Sequence, residues 1–157
     1  MHPNVSRVVA AARHAGIEIS VETFPEGTRT AADAAGAVGC EVDQIVKSLV
    51  FVADDSPVIA LMSGANRVDV KKLGDLLGAG AVRRADGDEA RAATGFPIGG
   101  IPPFGHGRAL AVLVDRDLLD HEGVWAAAGR PDAVFSISPD DLVRVSGGRV
   151  ADLAASR

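Results

Sequence analysis

The 157-residue chain has one cysteine, Cys40, no tyrosine and one tryptophan, and only 4% of its residues are aromatic. A single thiol can build neither an internal disulfide framework nor a cysteine-rich zinc module, so a reducing cytoplasm is the expected setting. No apolar run approaches the roughly 18 residues that cross a bilayer. The opening MHPNVSRVVAAARHAG lacks the apolar stretch of a secretory leader. Neither secretion nor membrane insertion is expected. Five phenylalanines and Trp125 make a poor stacking platform for extended single strands. With 16 Lys+Arg against 21 Asp+Glu the net charge is −5, which argues against a non-specific nucleic-acid binder held by charge. His2, His14, His106 and His121 are scattered, H-x-x-x-H and C-x-x-C are missing, and no metal site is expected. G-x-G-x-x-G, G-x-x-x-x-G-K-[ST] and G-x-S-x-G are also absent, which removes dinucleotide, P-loop and nucleophile-elbow chemistry.

What is present reads as one mixed α/β domain. Hydrophobic residues at 47% and charged residues at 24% are ordinary globular usage. Between Arg67 and Arg84 five basic residues face two acidic ones, a local +3 that leaves −8 elsewhere. Val5, Val8, Val9 and Ala12 form the stripe of a helix over 4–14 that Gly16 can close. A strand-like run follows over 17–24, then a helix to Val38 capped by Thr30 and ended by Gly39, with Cys40 just beyond it as a small buried residue. Strands over 45–53 and 58–62 flank a turn at 54–57 and predict a hairpin. Further helices are expected over 68–77, with Val70, Leu73, Leu76 and Leu77 on one face, over 88–94, and from Ser138-Pro139-Asp140-Asp141 to Gly147. Short strands are expected over 81–84, 109–114, 124–127, 133–137 and 149–153.

Two features bear on chemistry. In a strand, Lys47 shares a face with Leu49 and Phe51, while Val46, Ser48, Val50 and Val52 point the other way. An ammonium on an inner face must be paired or its pKa falls, and both conditions mark binding or catalytic sites. Near a strand end it can instead snorkel to water. The second feature is the run from Phe96 to Gly107, whose prolines and glycines exclude regular structure. Such a stiff loop can present free N–H groups to a developing oxyanion, or simply join a helix to a strand. Ser63-Gly64 and Ser146-Gly147 say nothing by themselves about a serine nucleophile.

The order of Thr28-Arg29-Thr30, Val46-Lys47-Ser48-Leu49, Met62-Ser63-Gly64, Arg67-Val68-Asp69-Val70-Lys71-Lys72-Leu73 and Thr94-Gly95-Phe96 before Gly99-Gly100-Ile101-Pro102-Pro103-Phe104-Gly105-His106 resembles the YbaK/ProX family. These are free-standing relatives of the editing domain of bacterial prolyl-tRNA synthetase, and the likeness runs on to the Ser138-Pro139-Asp140-Asp141-Leu142 helix. It implies a single compact α/β domain over 1–157, with a mixed, mostly antiparallel sheet flanked by helices. It also implies hydrolysis of the ester that joins a wrong amino acid to the 3′ end of a tRNA. By this resemblance Lys47 and Gly100 would carry catalysis, the lysine near the terminal adenosine or the aminoacyl group. Gly99, Gly100 and Gly105 would belong to the loop that lines the aminoacyl pocket and polarises the carbonyl. Thr28, Thr30, Ser63, Gly64, Ile101, Pro103, Phe104, His106 and Ala127 would complete the substrate-binding set. By the same resemblance water would attack, the terminal 2′-hydroxyl would assist, and neither metal nor cofactor is implied. The implied partners are an aminoacyl-tRNA 3′ end and an aminoacyl-tRNA synthetase, and no membrane.

One departure concerns specificity. Several family members carry a serine near the position of Ala127 and an acidic residue shortly after it, where this chain reads Ala133-Val134-Phe135. A pocket of Ala127, Ala128, Pro103 and Ile101 would suit a small side chain such as alanine, cysteine or proline. Two other readings stay open: a silent module that binds an aminoacyl-adenosine-like ligand or a synthetase, and a hydrolase of free small esters or amides.

Overall fold

Helix caps and strand alternation account for most of the element boundaries in the computed structural model, which describes residues 1–28 and 30–156. Arg29 of the Thr28-Arg29-Thr30 motif lies outside the described residues. Helix α1 (Pro3–His14) turns Val5, Val8 and Ala12 inward. Strand β1 (Val21–Thr23) is shorter than the 17–24 run, because only these three residues find ladder partners; Ile17 and Ile19 pack on the core without pairing. Helix α2 (Ala31–Val38) begins where the Asp33 N–H donates to Thr30 Oγ1 at 3.0 Å and ends at Gly39 in the left-handed region, φ 77°. Cys40 is half-exposed rather than buried, its thiol donating to the Glu41 carbonyl at 3.3 Å.

A 3₁₀ turn over Val42–Gln44 leads into the expected hairpin of β2 (Val46–Ala53) and β3 (Ser56–Ser63). Its turn needs only Asp54 and Asp55, at φ 45° and 70°, so Ser56 and Pro57 join the strand. Pro57 is tolerated because it faces Val52 at a position where the two strands exchange no hydrogen bonds. Helix α3 (Val70–Leu77) starts two residues late, since Asp69 Oδ1 caps it by accepting the Lys71 and Lys72 N–H groups. Val68 forms a β-bridge to Ala154 instead, and Val70 is exposed rather than inward. Then come β4 (Val82–Arg84) and α4 (Gly87–Thr94), the irregular 96–107 loop, β5 (Ala111–Asp115), a 3₁₀ turn, β6 (Val124–Ala127), β7 (Ala133–Ile137), α5 (Pro139–Ser146) and β8 (Arg149–Ala151).

The strands divide into two sheets. One has the order β4-β2-β3-β5-β8, antiparallel from β4 to β3 and parallel from β3 to β8; the other is the antiparallel set β1-β7-β6. The main core lies between them and includes Val8, Ile59, Leu61, Phe96, Val114, Val124 and Phe135. A second cluster of Phe51, Ala60, Met62, Leu73, Leu113 and Leu153 backs the larger sheet near α3. Fully burying a Phe or Leu side chain stabilises by about 1.5–3 kcal/mol, so a sheet covered on both faces is a rigid platform. No helix among the described residues is long and apolar enough to cross a membrane.

Ser138 illustrates how local chemistry sets an element: its Oγ accepts the Asp141 N–H at 3.2 Å, and Pro139 opens α5. Ser138→Ala is expected to destabilise the domain by about 1 kcal/mol, lowering Tm in a circular-dichroism melt by roughly 2–4 °C.

Candidate active site

Strand β4 pairs only with Phe51–Ala53, so the first half of β2 has one uncovered edge. Because the Ala85 N–H donates to the Val50 carbonyl on that side at 3.0 Å, alternation directs the main-chain N–H and C=O of Ser48 along the same open edge. Strand β6 is the edge of the smaller sheet, and the two edges touch at an Ile45–Trp125 bridge. Where they part, a cleft of about 340 Å³ opens. Lys47, Ser48 and Arg84 supply polar groups to its wall; Ala31 and Ala34 of α2, with Trp125, Ala127 and Val134, give it an apolar side. Ile98, Gly99 and Ile101 border it from the loop, Ile98 being 53% exposed.

Lys47 is half-buried in this wall, and its Nζ donates to the Asn66 main-chain carbonyl at 2.5 Å. Burial holds its pKa below the usual lysine range, with Arg84 and Arg67 adding to the depression and Asp115 opposing it. Its hydrogen-bond acceptor is neutral, so the ammonium presents a positive charge to the cleft.

The loop divides its residues between cleft and core. Pro97 to Gly100 forms a turn in which the Gly100 N–H donates to the Pro97 carbonyl at 3.0 Å, with Gly99 at φ 87°. Gly100 is buried behind the wall, and a Cβ there would stand 2.8 Å from Arg130 Cα. The Gly100 amide therefore closes the turn rather than facing the cleft. The N–H groups of Gly99 and Ile101 have no hydrogen-bond partner among the described residues, which leaves them as the loop's donors beside the cavity. Thr28 and Thr30 also line it: the Thr28 hydroxyl donates to the Pro131 carbonyl at 2.8 Å, and Thr30 caps α2.

Other expected site residues lie elsewhere. Pro103 and Ala128 are buried and border no part of the cleft, so its small-residue side is built by Ala31, Ala34 and Ala127. Phe104 packs on Phe135 with ring centroids 5.6 Å apart. Gly105, at φ 82°, sits against Ala11 and the α1 backbone. His106 Nε2 lies 2.8 Å from the Pro102 carbonyl oxygen, and burial pushes its pKa down. Phe104, Gly105 and His106 border a separate hollow with Val145 and Ser146. The Ser63 hydroxyl donates to the Asp43 carbonyl at 2.8 Å, while Gly64 is pressed against the Val42 carbonyl and Ala31, which fastens the end of β3 beneath α2.

Sequence reasoning passed over Arg84, Trp125, Asn66 and Asp115. The 67–84 charge excess was a partial signal for Arg84. Three of its five cations are paired, Lys71 with Asp75 at 3.1 Å, Lys72 with Asp152 at 3.1 Å and Arg83 with Glu89 at 2.6 Å. Arg67 and Arg84 have no carboxylate within ion-pair distance among the described residues, and the Arg84 guanidinium stands 5.7 Å from the Phe51 ring centroid.

The fold and the sequence are shared with known proteins. A crystal structure of a candidate trans-editing enzyme for prolyl tRNA synthetase superposes with a TM-score of 0.93 at 44% identity, covering 99% of each chain. A proline–tRNA ligase of Nitratidesulfovibrio vulgaris is 34% identical over 106 residues, 68% of this chain and 18% of the ligase. One from Streptococcus thermophilus is 28% identical over 134 residues, 80% of this chain and 22% of the ligase. The chain thus spans about a fifth of the length of these curated relatives. The model of the aminoacyl-tRNA editing domain matches residues 25–145, which include every residue named as lining the cleft, and the chain belongs to that family.

Proposed function

We propose that the protein is a trans-acting deacylase that hydrolyses the ester between a small amino acid and the 3′ end of a tRNA. The observation that carries this reading is the convergence of the Lys47 ammonium and the Gly99–Ile101 segment on one cleft with an alanine-rich side. The ammonium, with Arg84 beside it, would hold the anionic 3′ end or the negative charge that develops on the ester. The Gly99 and Ile101 amides would take the carbonyl oxygen as it becomes an oxyanion, an arrangement in which preorganised donors lower the barrier. Water adds to the carbonyl carbon, the ester C–O bond breaks, the terminal tRNA hydroxyl leaves with a proton, and the amino acid departs as carboxylate and one proton. The terminal 2′-hydroxyl would assist the attacking water.

Ala31, Ala34 and Ala127 leave room for alanine, cysteine, serine or proline. An apolar pocket separates side chains that differ by one methylene by only about 1–3 kcal/mol, so graded rather than absolute preference is expected. Lys47 and Arg84 are the cations in the cleft lining, so affinity for tRNA should fall only modestly with salt, and a synthetase partner would supply what the acidic surface lacks.

The test is to load tRNA with alanine, cysteine, proline or serine and follow release of the labelled amino acid. Release of at least one is expected, fastest for the side chain that fills the alanine-rich end. No release from any of them, at protein levels where a control editing enzyme clears its substrate, overturns the proposal. Binding of the charged 3′ end without release would instead identify a silent binding module.

A further inference from the structure

Below the cleft, the Lys47 ammonium is tied into a polar cluster that the reaction just described does not use. Asn66 follows β3 in the segment leading to α3 and is 2% exposed. Its main-chain carbonyl accepts from Lys47 Nζ, and its main-chain N–H donates to the Ser63 carbonyl at 2.9 Å. Its side-chain amide donates to two carboxylates, Asp115 Oδ2 at 2.9 Å and Asp117 Oδ2 at 2.8 Å. Asp115 ends β5 and is 1% exposed. Besides the Asn66 amide it accepts the main-chain N–H of Ser63 at 3.1 Å and of Asp117 at 3.0 Å. A carboxylate so deeply buried must have its oxygens hydrogen-bonded. Its donors here come from the end of β3, the segment after it and the turn after β5.

We propose that Asn66 and Asp115 are positioning residues for Lys47: the buried carboxylate fixes the Asn66 side-chain amide, the amide fixes its own peptide unit, and the carbonyl of that residue aims the ammonium into the cleft. The catalytic side of this inference rests on the deacylase reading; the positioning side does not. A lysine side chain otherwise retains several rotatable bonds, and an ammonium held in place before substrate arrives has no ordering left to do. Displacing a reacting group by about 1 Å can reduce the rate by roughly 100-fold. The charged groups facing the ammonium are Arg84 from β4, Arg67 from the segment after β3 and Asp115 from β5. Only Asp115 favours the protonated form, against burial and both arginines.

The sequence contains three lysines, Lys47, Lys71 and Lys72, so reductive ¹³C-methylation gives a small set of NMR signals that can be titrated in the unliganded protein. In Asp115→Asn the Lys47 signal is expected to titrate at lower pH than in wild type. Asn66→Ala retains the main-chain acceptor but removes the tether, and covers the case in which Asp115→Asn does not fold. It should lower kcat by roughly 10- to 100-fold with KM changed less than about twofold, and add no further loss in a Lys47→Ala background, because coupled residues are non-additive. A Lys47 midpoint unmoved in folded Asp115→Asn, or a full multiplicative loss when Asn66→Ala is added to Lys47→Ala, overturns the relay. A wild type that releases no amino acid but shows the shifted midpoint in Asp115→Asn overturns the deacylase reading while supporting the positioning contact.

Discussion

Lys47→Ala is expected to reduce single-turnover deacylation by at least about 100-fold, the scale on which loss of one preorganised electrostatic group is felt. Wild-type activity to within threefold would exclude the ammonium from the reaction. The protein should remain folded, since Leu49 and Phe51 keep the β2 face apolar. The sign of the stability effect follows from the direction of the pKa. A lysine whose folded pKa lies below its unfolded value binds its proton less tightly when folded. Its charged form therefore works against folding at neutral pH, and this penalty fades as pH rises through the folded pKa towards the unfolded one. Lys47→Met should accordingly melt no lower than wild type at pH 7 while being inactive. Lys47→Arg should also be poor, because a planar guanidinium brought close to Arg84 and Arg67 cannot reproduce a compact ammonium on one carbonyl.

Gly100→Ala should damage both stability and turnover. The added Cβ meets Arg130 Cα and C at 2.8 Å and N at 2.9 Å, all main-chain atoms that cannot rotate away. Either the Pro97–Gly100 turn or the Arg130 segment must move. Overpacking of this kind destabilises by about 1–3 kcal/mol or more. Gly99 and Ile101 flank the displaced residue, so the amides proposed to meet the carbonyl move with it, and a loss of roughly 100-fold in kcat/KM is expected. Gly107→Ala is the matched control: a Cβ there meets nothing within 4 Å, and its φ is not in the left-handed region. Equal effects at both glycines, in melting and in deacylation, would mean that the close approach to Arg130 does not hold the loop in place.

Elements governed by neighbouring residues were legible in the sequence. Thr30 and Ser138 announce helix starts because a hydroxyl two or three residues before an apolar stripe can take an orphan N–H. Lys47 stood out because a cation stands in a strand whose other residues, Ser48 aside, are apolar. The division of strands between two sheets was not legible, since β1 pairs with β7 more than a hundred residues away and no local pattern records that choice. The same limit applies to the site. Arg84 reaches the cleft because β4 stops pairing at Phe51, and Asp115 meets Asn66 from 49 positions away. The density of proline and glycine over 96–107 identified an ordered loop but not its facing. One side of it packs on α1 and Phe135, which takes Phe104 and Gly105 away from the cleft that Gly99 and Ile101 border.

The half-uncovered edge of β2 has a consequence for solubility as well as chemistry. An unpaired strand edge on a flat surface invites a neighbouring chain to add itself to the sheet, the first step of edge-to-edge aggregation. Here the open groups of Ser48 lie inside a recess walled by α2, β6 and the 98–101 turn, with a charged lysine alongside. A second β-strand would have to lie about 4.8 Å alongside with side chains on both faces, and α2, β6 and the loop residues Ile98, Gly99 and Ile101 stand around that place. One concavity thus shields a sticky sheet margin and keeps its hydrogen-bonding capacity available to a guest of the right size.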